Sequence, residues 1–131
     1  MKILIVENEP DIAEMERMAL SASGYDCVVV ASGREAIDKY TDEFCLILLD
    51  IGMPELTGLD VAEAIRAKDK DVPILAVTGY DSVLMKSQAR RAGINQVLAK
   101  PVDVQQLRKW VERLINVKCR DKWVKSGEMK L

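Results

Sequence analysis

Five short, mostly apolar runs alternate with five amphipathic segments along the 131 residues. The runs are continuous and rich in β-branched residues, a pattern typical of strands that are buried on both faces of a parallel sheet. We predict strands over residues 3–6, 26–30, 44–49, 74–77 and 96–99. Strict alternation of strand and helix predicts an α/β fold with a doubly wound, five-stranded parallel sheet and helices on both faces.

The first intervening segment is predicted to be a helix over residues 11–23. Its apolar residues Ile12, Met15, Ala19 and Leu20 recur at helical spacing, and Gly24 is a typical C-terminal stop. Capping residues predict helices over 32–40, from 81 or 82 to 93, and from 103 onward, and the apolar residues Val61, Ala62 and Ile65 predict one over 59–67. A chain of this length forms one domain, which we place at residues 1–116. We expect residues 117–131 to be a polar, basic extension of the last helix or a frayed tail.

Composition excludes several classes of function. A formal net charge of −2 gives no long-range attraction to nucleic acid or to an anionic membrane. No apolar stretch approaches the roughly 20 residues that span a bilayer, and the N-terminus lacks a signal-peptide layout. We therefore expect a cytoplasmic protein without direct nucleic-acid or membrane binding.

The inventory of reactive side chains is equally restrictive. The three cysteines form no C-x-x-C motif, so we expect Cys27 and Cys45 to be small buried hydrophobes and Cys119 an exposed thiol. The chain has no histidine, which removes the commonest general base and every Ser-His or Cys-His triad. Any chemistry must use carboxylates, hydroxyls, lysine or a hard cation.

Polar side chains terminate four of the five predicted strands. Strand one runs into Glu7 and Asn8, strand three ends in Asp50, strand four in Thr78 and strand five in Lys100. Ligands of an open parallel sheet bind beyond these carboxyl ends, near the topological switch point. If strand two lies at an edge and strand one neighbours strand three, the oxygen ligands converge into a site that suits Mg²⁺, with Asp50 positioned as a nucleophile. Each residue alone could merely mark the exit of a strand from the core, but that explanation is weaker for four strand ends together.

Four stretches together resemble one family in order and spacing. They are KILIVENEP, LILLDIGMPELTGLD, PILAVTG and VLAKPVD, and over residues 1 to about 116 the chain is similar to the receiver domain of response regulators in two-component signalling. The resemblance implies a flavodoxin-like (βα)5 fold with the strand order 2-1-3-4-5. It also implies that Asp50 accepts a phosphoryl group, that the Thr78 hydroxyl moves towards it and that Lys100 pairs with it. The Lys100–Pro101 peptide bond is usually cis in this family.

The resemblance further implies a metal site. Glu7 and Asn8 match the acidic pair that binds Mg²⁺, Asp50 is shared, and Gly52 matches the position whose backbone carbonyl contacts the ion. Asn8 departs from the pattern, because an amide replaces a carboxylate. We therefore expect Mg²⁺ or Mn²⁺ to bind weakly and phosphorylation to be slow. Val97 also departs from it, since many members carry there a Tyr or Phe that reports phosphorylation to the outer face.

Two functions follow from these residues. The leading hypothesis is a stand-alone receiver that is phosphorylated by a sensor histidine kinase or a histidine phosphotransfer protein, and that signals to an unknown downstream protein. A homodimer through the last two helices and strand five fits this hypothesis, and no enzyme activity is expected beyond autophosphorylation and autodephosphorylation. The alternative, motivated by Asn8 and Val97, is a pseudo-receiver that binds partners without phosphorylation. A dinucleotide-binding enzyme would need G-x-G-x-x-G where this chain reads ENEPDI.

Overall fold

Strands and helices alternate along the whole chain, as the apolar periodicity predicts. The structure, a computed structural model, describes residues 1–53, 56–79 and 82–126, and for 117–126 it describes the helical backbone alone. The elements are β1 Lys2–Val6, α1 Pro10–Ser21, β2 Asp26–Val30, α2 Gly33–Lys39, β3 Phe44–Asp50, α3 Gly58–Lys68, β4 Ile74–Thr78, α4 Val83–Arg91, β5 Gln96–Ala99 and α5 Val104–Ser126. Within the described part of the chain, no helix is long and apolar enough to cross a membrane.

The five strands form one parallel sheet in the order β2-β1-β3-β4-β5. This order confirms the predicted fold class and puts β1 beside β3. The direction of winding reverses between these two strands, so the switch point lies at their carboxyl ends. There Val6 pairs with Leu49, and Asp50 pairs with Val77 of the next strand.

The sheet separates two apolar clusters. On one face, side chains such as Leu4, Ile47 and Ala76 pack with α2, α3 and α4. On the other face, Ile5, Leu48 and Leu98 belong to the cluster beneath α1 and α5, which pack against each other. Because helices cover both faces of the sheet, the three central strands β1, β3 and β4 are buried almost throughout, and their charged and hydroxyl side chains lie only at strand ends.

Short polar side chains begin most helices where the sequence predicts. Ser32 and Ser82 accept hydrogen bonds from the backbone N–H groups of Glu35 and Met85, and Thr57 forms a capping box with Asp60. For the fourth helix, the alternative cap at residue 81 lies outside the described residues. These caps satisfy N–H groups that a helix leaves without partners, so each helix starts at a defined residue beside the sheet.

Three details differ from the sequence analysis. In α1 the fully buried residues are Ala13, Glu16, Ala19 and Leu20, whereas Ile12 and Met15 are only half-buried. The helix therefore turns towards the sheet a different face from the one that its apolar residues alone indicate, and this face brings Glu16 into the interior. Cys27 and Cys45 are half-buried rather than buried, because β2 is an edge strand and Cys45 lies near the start of β3.

The last helix continues well past the domain boundary placed at residue 116. Its backbone is helical to Ser126. This agrees with an extension of the last helix as far as the structure describes it. The side chains of the predicted basic tail, and Cys119 among them, lie outside the described residues.

Candidate functional site: an acidic cluster at the sheet edge

Three of the predicted strand-end residues, Glu7, Asp50 and Lys100, lie in contact at the switch point of the sheet. Glu7, Asp50 and Lys100 lie two residues beyond Ile5, Leu48 and Leu98, so the alternation of a strand directs them to the face that α1 and α5 cover. Asp50 and Glu7 are 4% and 2% exposed. Two acidic groups are thus held almost out of water at one edge.

Asp50 is held from two sides. Its Oδ1 accepts a hydrogen bond of 3.0 Å from the backbone N–H of Gly52, and its Oδ2 accepts one of 3.2 Å from Nζ of Lys100. In the first contact, the side chain of Asp50 at the end of β3 closes a turn with the backbone two residues further along the chain. The second joins the ends of β3 and β5 across β4. The Asp50 carboxylate is thus fixed by one contact to each of its two oxygen atoms.

Lys100 is shared between two carboxylates. Its ammonium nitrogen also lies 3.6 Å from Oε1 of Glu7, and its side chain is 22% exposed. Burial would by itself lower the pKa of Lys100, but the charges of Asp50 and Glu7 outweigh this and raise it. Lys100 is therefore a permanent positive charge at neutral pH. The Lys100–Pro101 peptide bond is cis, as the resemblance implies.

Glu7 has unused capacity to accept hydrogen bonds. Oε2 accepts a bond of 3.1 Å from the N–H of Glu9, but the buried Oε1 has no hydrogen-bond partner among the described residues. Burial, followed by the neighbouring charge of Asp50, raises the pKa of Glu7. A buried carboxylate oxygen beside a second carboxylate is a position that a cation would stabilise.

The other predicted site residues differ in their exposure. Asn8 and Gly52 are exposed at the mouth of the site, whereas Thr78 is 1% exposed at the end of β4. The donor set consists of oxygen atoms alone, which fits a hard dication. Within the described ranges, no three acidic, histidine or cysteine side chains form a group that could hold a metal ion.

One buried acidic residue of α1 was missed by sequence reasoning. Glu16 of α1 is 1% exposed, and its Oε2 has no hydrogen-bond partner among the described residues. Burial, then the charge of Glu7, raises its pKa to about 8. The spacing of the sequence could have indicated that Glu16 is buried. It lies three positions after Ala13 and four before Leu20, so the three residues share one face of the helix.

Close backbone packing holds the end of β3 in place. A Cβ atom on Gly58, the first residue of α3, would lie 2.6 Å from the carbonyl oxygen of Asp50 and 2.6 Å from Cα of Ile51. The N–H of Gly58 donates to the carbonyl of Ile51. Only glycine permits this approach, so α3 begins directly against the strand end that carries Asp50.

Comparisons with known proteins agree with this fold. A family model of the response regulator receiver domain matches residues 3–112, and the chain belongs to that family. It is 37% identical over 112 residues to the regulatory protein LuxO of Vibrio vulnificus, covering 85% of this chain and 25% of LuxO. The chain thus spans about a quarter of the length of that relative.

Solved structures show the same architecture. The chemotaxis protein CheY4 of Vibrio cholerae superimposes with a TM-score of 0.82 at 32% identity, covering 86% of this chain and 97% of that one. The response regulator TrrA of Thermotoga maritima, solved in complex with Mg²⁺-BeF, gives a TM-score of 0.78 at 32% identity over the same shares. Both the predicted family and the predicted fold are confirmed.

Proposed function

We propose that this receiver accepts a phosphoryl group on Asp50 from a phosphohistidine of a partner kinase or phosphotransfer protein. The observation that carries the proposal is the buried Asp50 carboxylate, oriented by Gly52 and Lys100 at the open edge of the sheet. Because these 131 residues contain no histidine, the phosphohistidine has to come from outside them. Membership of the receiver-domain family and the 32% identity to a regulator solved with Mg²⁺-BeF also support the proposal.

In the proposed reaction a carboxylate oxygen of Asp50 attacks phosphorus. The new bond is an acyl phosphate O–P bond, the P–N bond to the partner's imidazole breaks, and the imidazole nitrogen keeps the electron pair. The ammonium group of Lys100 would turn from the carboxylates towards the phosphoryl oxygens, and Thr78 would donate its hydroxyl from the end of β4. Both groups stabilise charge that develops on the phosphoryl oxygens.

A divalent cation would be held by Glu7, Asp50, Asn8 and the backbone carbonyl of Gly52. When bound, Mg²⁺ or Mn²⁺ supplies positive charge that neutralises the phosphoryl oxygens. The buried Oε1 of Glu7 has no hydrogen-bond partner among the described residues and only the 3.6 Å ion-pair contact with Lys100, which supports this assignment. Since Asn8 contributes an uncharged oxygen, we expect weak binding. The chain's own residues bind and orient the phosphoryl group; no enzyme activity is proposed beyond formation and loss of the acyl phosphate.

We propose that the output is protein–protein contact through α4, β5 and α5. Val83 and Leu84 at the start of α4 are 87% and 68% exposed. Val97 lines a groove of about 130 Å³ between α4 and β5. Valine cannot act as the rotating aromatic ring that many family members carry there, so the signal would reach this surface by another route. That the receiver stands alone, forms a homodimer and lies in the cytoplasm stays a prediction. Its signalling to a downstream protein is a prediction as well.

Intact mass measurement tests the phosphorylation proposal. Incubation with acetyl phosphate and Mg²⁺ should add one phosphoryl group, and Asp50→Ala should remove the adduct. Asp42→Asn, which changes an exposed aspartate before β3, is the matched control and should keep it. The alternative is a pseudo-receiver, favoured by Asn8. Absence of any adduct at every Mg²⁺ concentration would support that alternative and overturn the proposal.

A further inference from the structure

Acidic and basic residues are distributed unevenly along the chain. Residues 1–81 contain 17 Asp or Glu and seven Lys or Arg, whereas residues 82–131 contain four Asp or Glu and 12 Lys or Arg. The small net charge of −2 is thus the sum of an acidic part and a basic part. The basic part supplies α4, β5 and α5, so the proposed output surface differs in charge from the rest of the protein.

On the α4 side of β5, a groove combines cationic and apolar side chains. The groove has a volume of about 130 Å³ and is lined by Lys86, Ala89, Arg90, Ile94, Asn95, Gln96 and Val97. Its aliphatic residues are buried or half-buried, whereas Lys86 and Arg90 are exposed. Sites for small molecules measure roughly 300–1,000 Å³, so this groove suits one aliphatic side chain of a larger partner.

Aliphatic side chains at the start of α4 continue this groove. Val83 lies three positions before Lys86 and seven before Arg90, so the three residues share one face of the helix. Val83 and its neighbour Leu84 are among the most exposed large apolar side chains that the structure describes. Covering exposed aliphatic groups beside an apolar groove is favourable, which is typical of a surface that binds another protein.

A second groove, on α5, has the same combination of charge and apolar surface. Its volume is about 490 Å³, and its lining residues are Gln106, Lys109, Trp110 and Arg113. The guanidinium group of Arg113 lies 5.2 Å from the centroid of the Trp110 ring, a cation–π contact. Trp and Arg are among the residues enriched at the energetic centres of protein interfaces.

Both grooves lie at the β5 edge of the sheet. Arg108 of α5 donates to the carbonyl of Ala19 in α1, so its side chain marks the side of α5 that faces α1. Trp110 and Arg113 follow two and five positions later, which puts them on the opposite side of the helix. Since α1 packs on β1 and β2, that opposite side faces the β5 edge, where α4 carries the other groove. We refer to the residues that line the two grooves, with Val83 and Leu84, as the β5-edge surface.

The charge of the β5-edge surface favours an acidic partner. Among the described residues that line its two grooves, four are Lys or Arg and none is Asp or Glu. The predicted homodimer through this surface would bring the same cations of two copies together, because a twofold interface joins identical patches. Like charges placed opposite each other oppose association. Acidic side chains of another protein would instead be attracted.

We propose that the β5-edge surface docks an acidic segment of the downstream protein that carries an aliphatic anchor. The inference rests on the proposed function, since it names the chemistry of the partner at the proposed output surface. The anchor fills the groove beside Val97, and the carboxylates of the segment pair with cations on α4 and α5. A nucleic acid offers phosphates but no aliphatic group for that groove, and the acidic residues of 1–81 repel a polyanion.

Peptide titrations followed by ¹H–¹⁵N NMR test the inference. The probe is a short peptide in which two leucines are flanked by glutamates, and it should shift the amide signals of Val97 and of the residues around it. Its affinity should fall as salt is added, because ions screen exposed charges. Peptides with alanine for leucine, or with lysine for glutamate, should each bind at least about tenfold more weakly.

Charge reversal at the surface provides a matched pair of variants. Arg90→Glu combined with Arg113→Glu should weaken binding of the glutamate peptide at least about tenfold and should gain binding of the lysine peptide. That gain excludes misfolding as the cause of the loss. Arg34→Glu combined with Lys39→Glu reverses two exposed cations of α2, away from the β5 edge, and should change neither affinity.

Three results would overturn the inference. The first is failure of the glutamate peptide to bind the wild type. The second is binding of the alanine peptide, or of single-stranded DNA, at least as tight as that of the glutamate peptide. The third is a wild-type dimer in sedimentation experiments that Arg90→Glu with Arg113→Glu dissociates.

Phosphorylation is tested independently of docking. Formation of the Asp50 adduct is measured by mass, so none of these three results affects it. Peptide binding that acetyl phosphate and Mg²⁺ do not change would leave the docking surface standing and overturn its regulation by phosphorylation.

Discussion

The ammonium nitrogen of Lys100 lies 3.2 Å from Oδ2 of Asp50, although 50 positions separate the two residues in the chain. The contact spans β4 and draws the ends of β3 and β5 together. It also places Lys100 within 3.6 Å of Oε1 of Glu7, so one cation balances two buried carboxylates. This arrangement leads to a set of measurable consequences.

Lys100→Met should destabilise the folded protein. The variant leaves Asp50 and Glu7 without their shared cation, and we expect the free energy of unfolding at pH 7 to fall by about 2 kcal/mol in urea titrations. The pKa of Lys100 is raised by folding, so its stabilising contribution is fully present at neutral pH and is lost only as pH rises through that raised value. Lys2→Met removes the exposed pair with Glu43 and is the control. Equal losses in both variants would contradict the prediction.

Glu16→Gln should stabilise the protein in the absence of metal. Folding raises the pKa of Glu16 from its ordinary 4.5 to about 8. As pH rises, Glu16 therefore loses its proton in the unfolded state before it does so in the folded state. The stability of the wild type therefore falls as pH rises from 4.5 to 8, and at pH 7 the variant should be more stable by about 3 kcal/mol. Urea unfolding at pH 5 and pH 7.5 measures the difference. If the difference in the free energy of unfolding between the variant and the wild type does not grow with pH, Glu16 is not held neutral in the folded protein.

Asn8→Asp should strengthen metal binding and speed phosphorylation. A carboxylate adds one negative charge beside Glu7 and Asp50, and we expect the Mg²⁺ concentration for half-maximal phosphorylation by acetyl phosphate to fall about fivefold or more. Because Asn8 is exposed, the thermal midpoint without metal should change little. Equal Mg²⁺ dependence in the wild type and the variant would refute the view that Asn8 weakens the site.

Gly58→Ala should displace the strand end that carries Asp50. The new Cβ would lie 2.6 Å from backbone atoms of Asp50 and Ile51, which cannot move without shifting α3 from β3. We expect a loss of about 2 kcal/mol or more in the free energy of unfolding. Gly79→Ala is the matched control, since a Cβ there meets nothing within 4 Å. A variant as stable as this control would contradict the role given to Gly58.

Much of this architecture was predictable from local patterns. The continuous apolar runs predict a parallel sheet because only a doubly covered sheet removes both strand faces from water, and β1, β3 and β4 have that character. Once the strands are known, the residues that terminate them are known too. Asp50, Thr78 and Lys100 could therefore be named before any contact between them was seen.

Local sequence patterns did not predict that Glu16 is buried. Hydrophobicity favours a face of α1 through Ile12 and Met15, yet the helix buries Ala13 and Glu16 instead. Small residues on the inner face let a helix lie close to the sheet, and its rotation then depends on packing against β1, β2 and α5. That information is spread over distant elements and is invisible in any single window of sequence.

The periodicity of burial is a local property, so the strands, the order of the elements along the chain and the polar groups at the strand ends could be read from the residues alone. The three-dimensional fold was needed to show that Lys100 bridges Asp50 and Glu7, and that Glu16 is a further buried ionisable group. Electrostatic energies depend on distances and on exclusion of water, and both are set by how α1 and α5 close over the sheet.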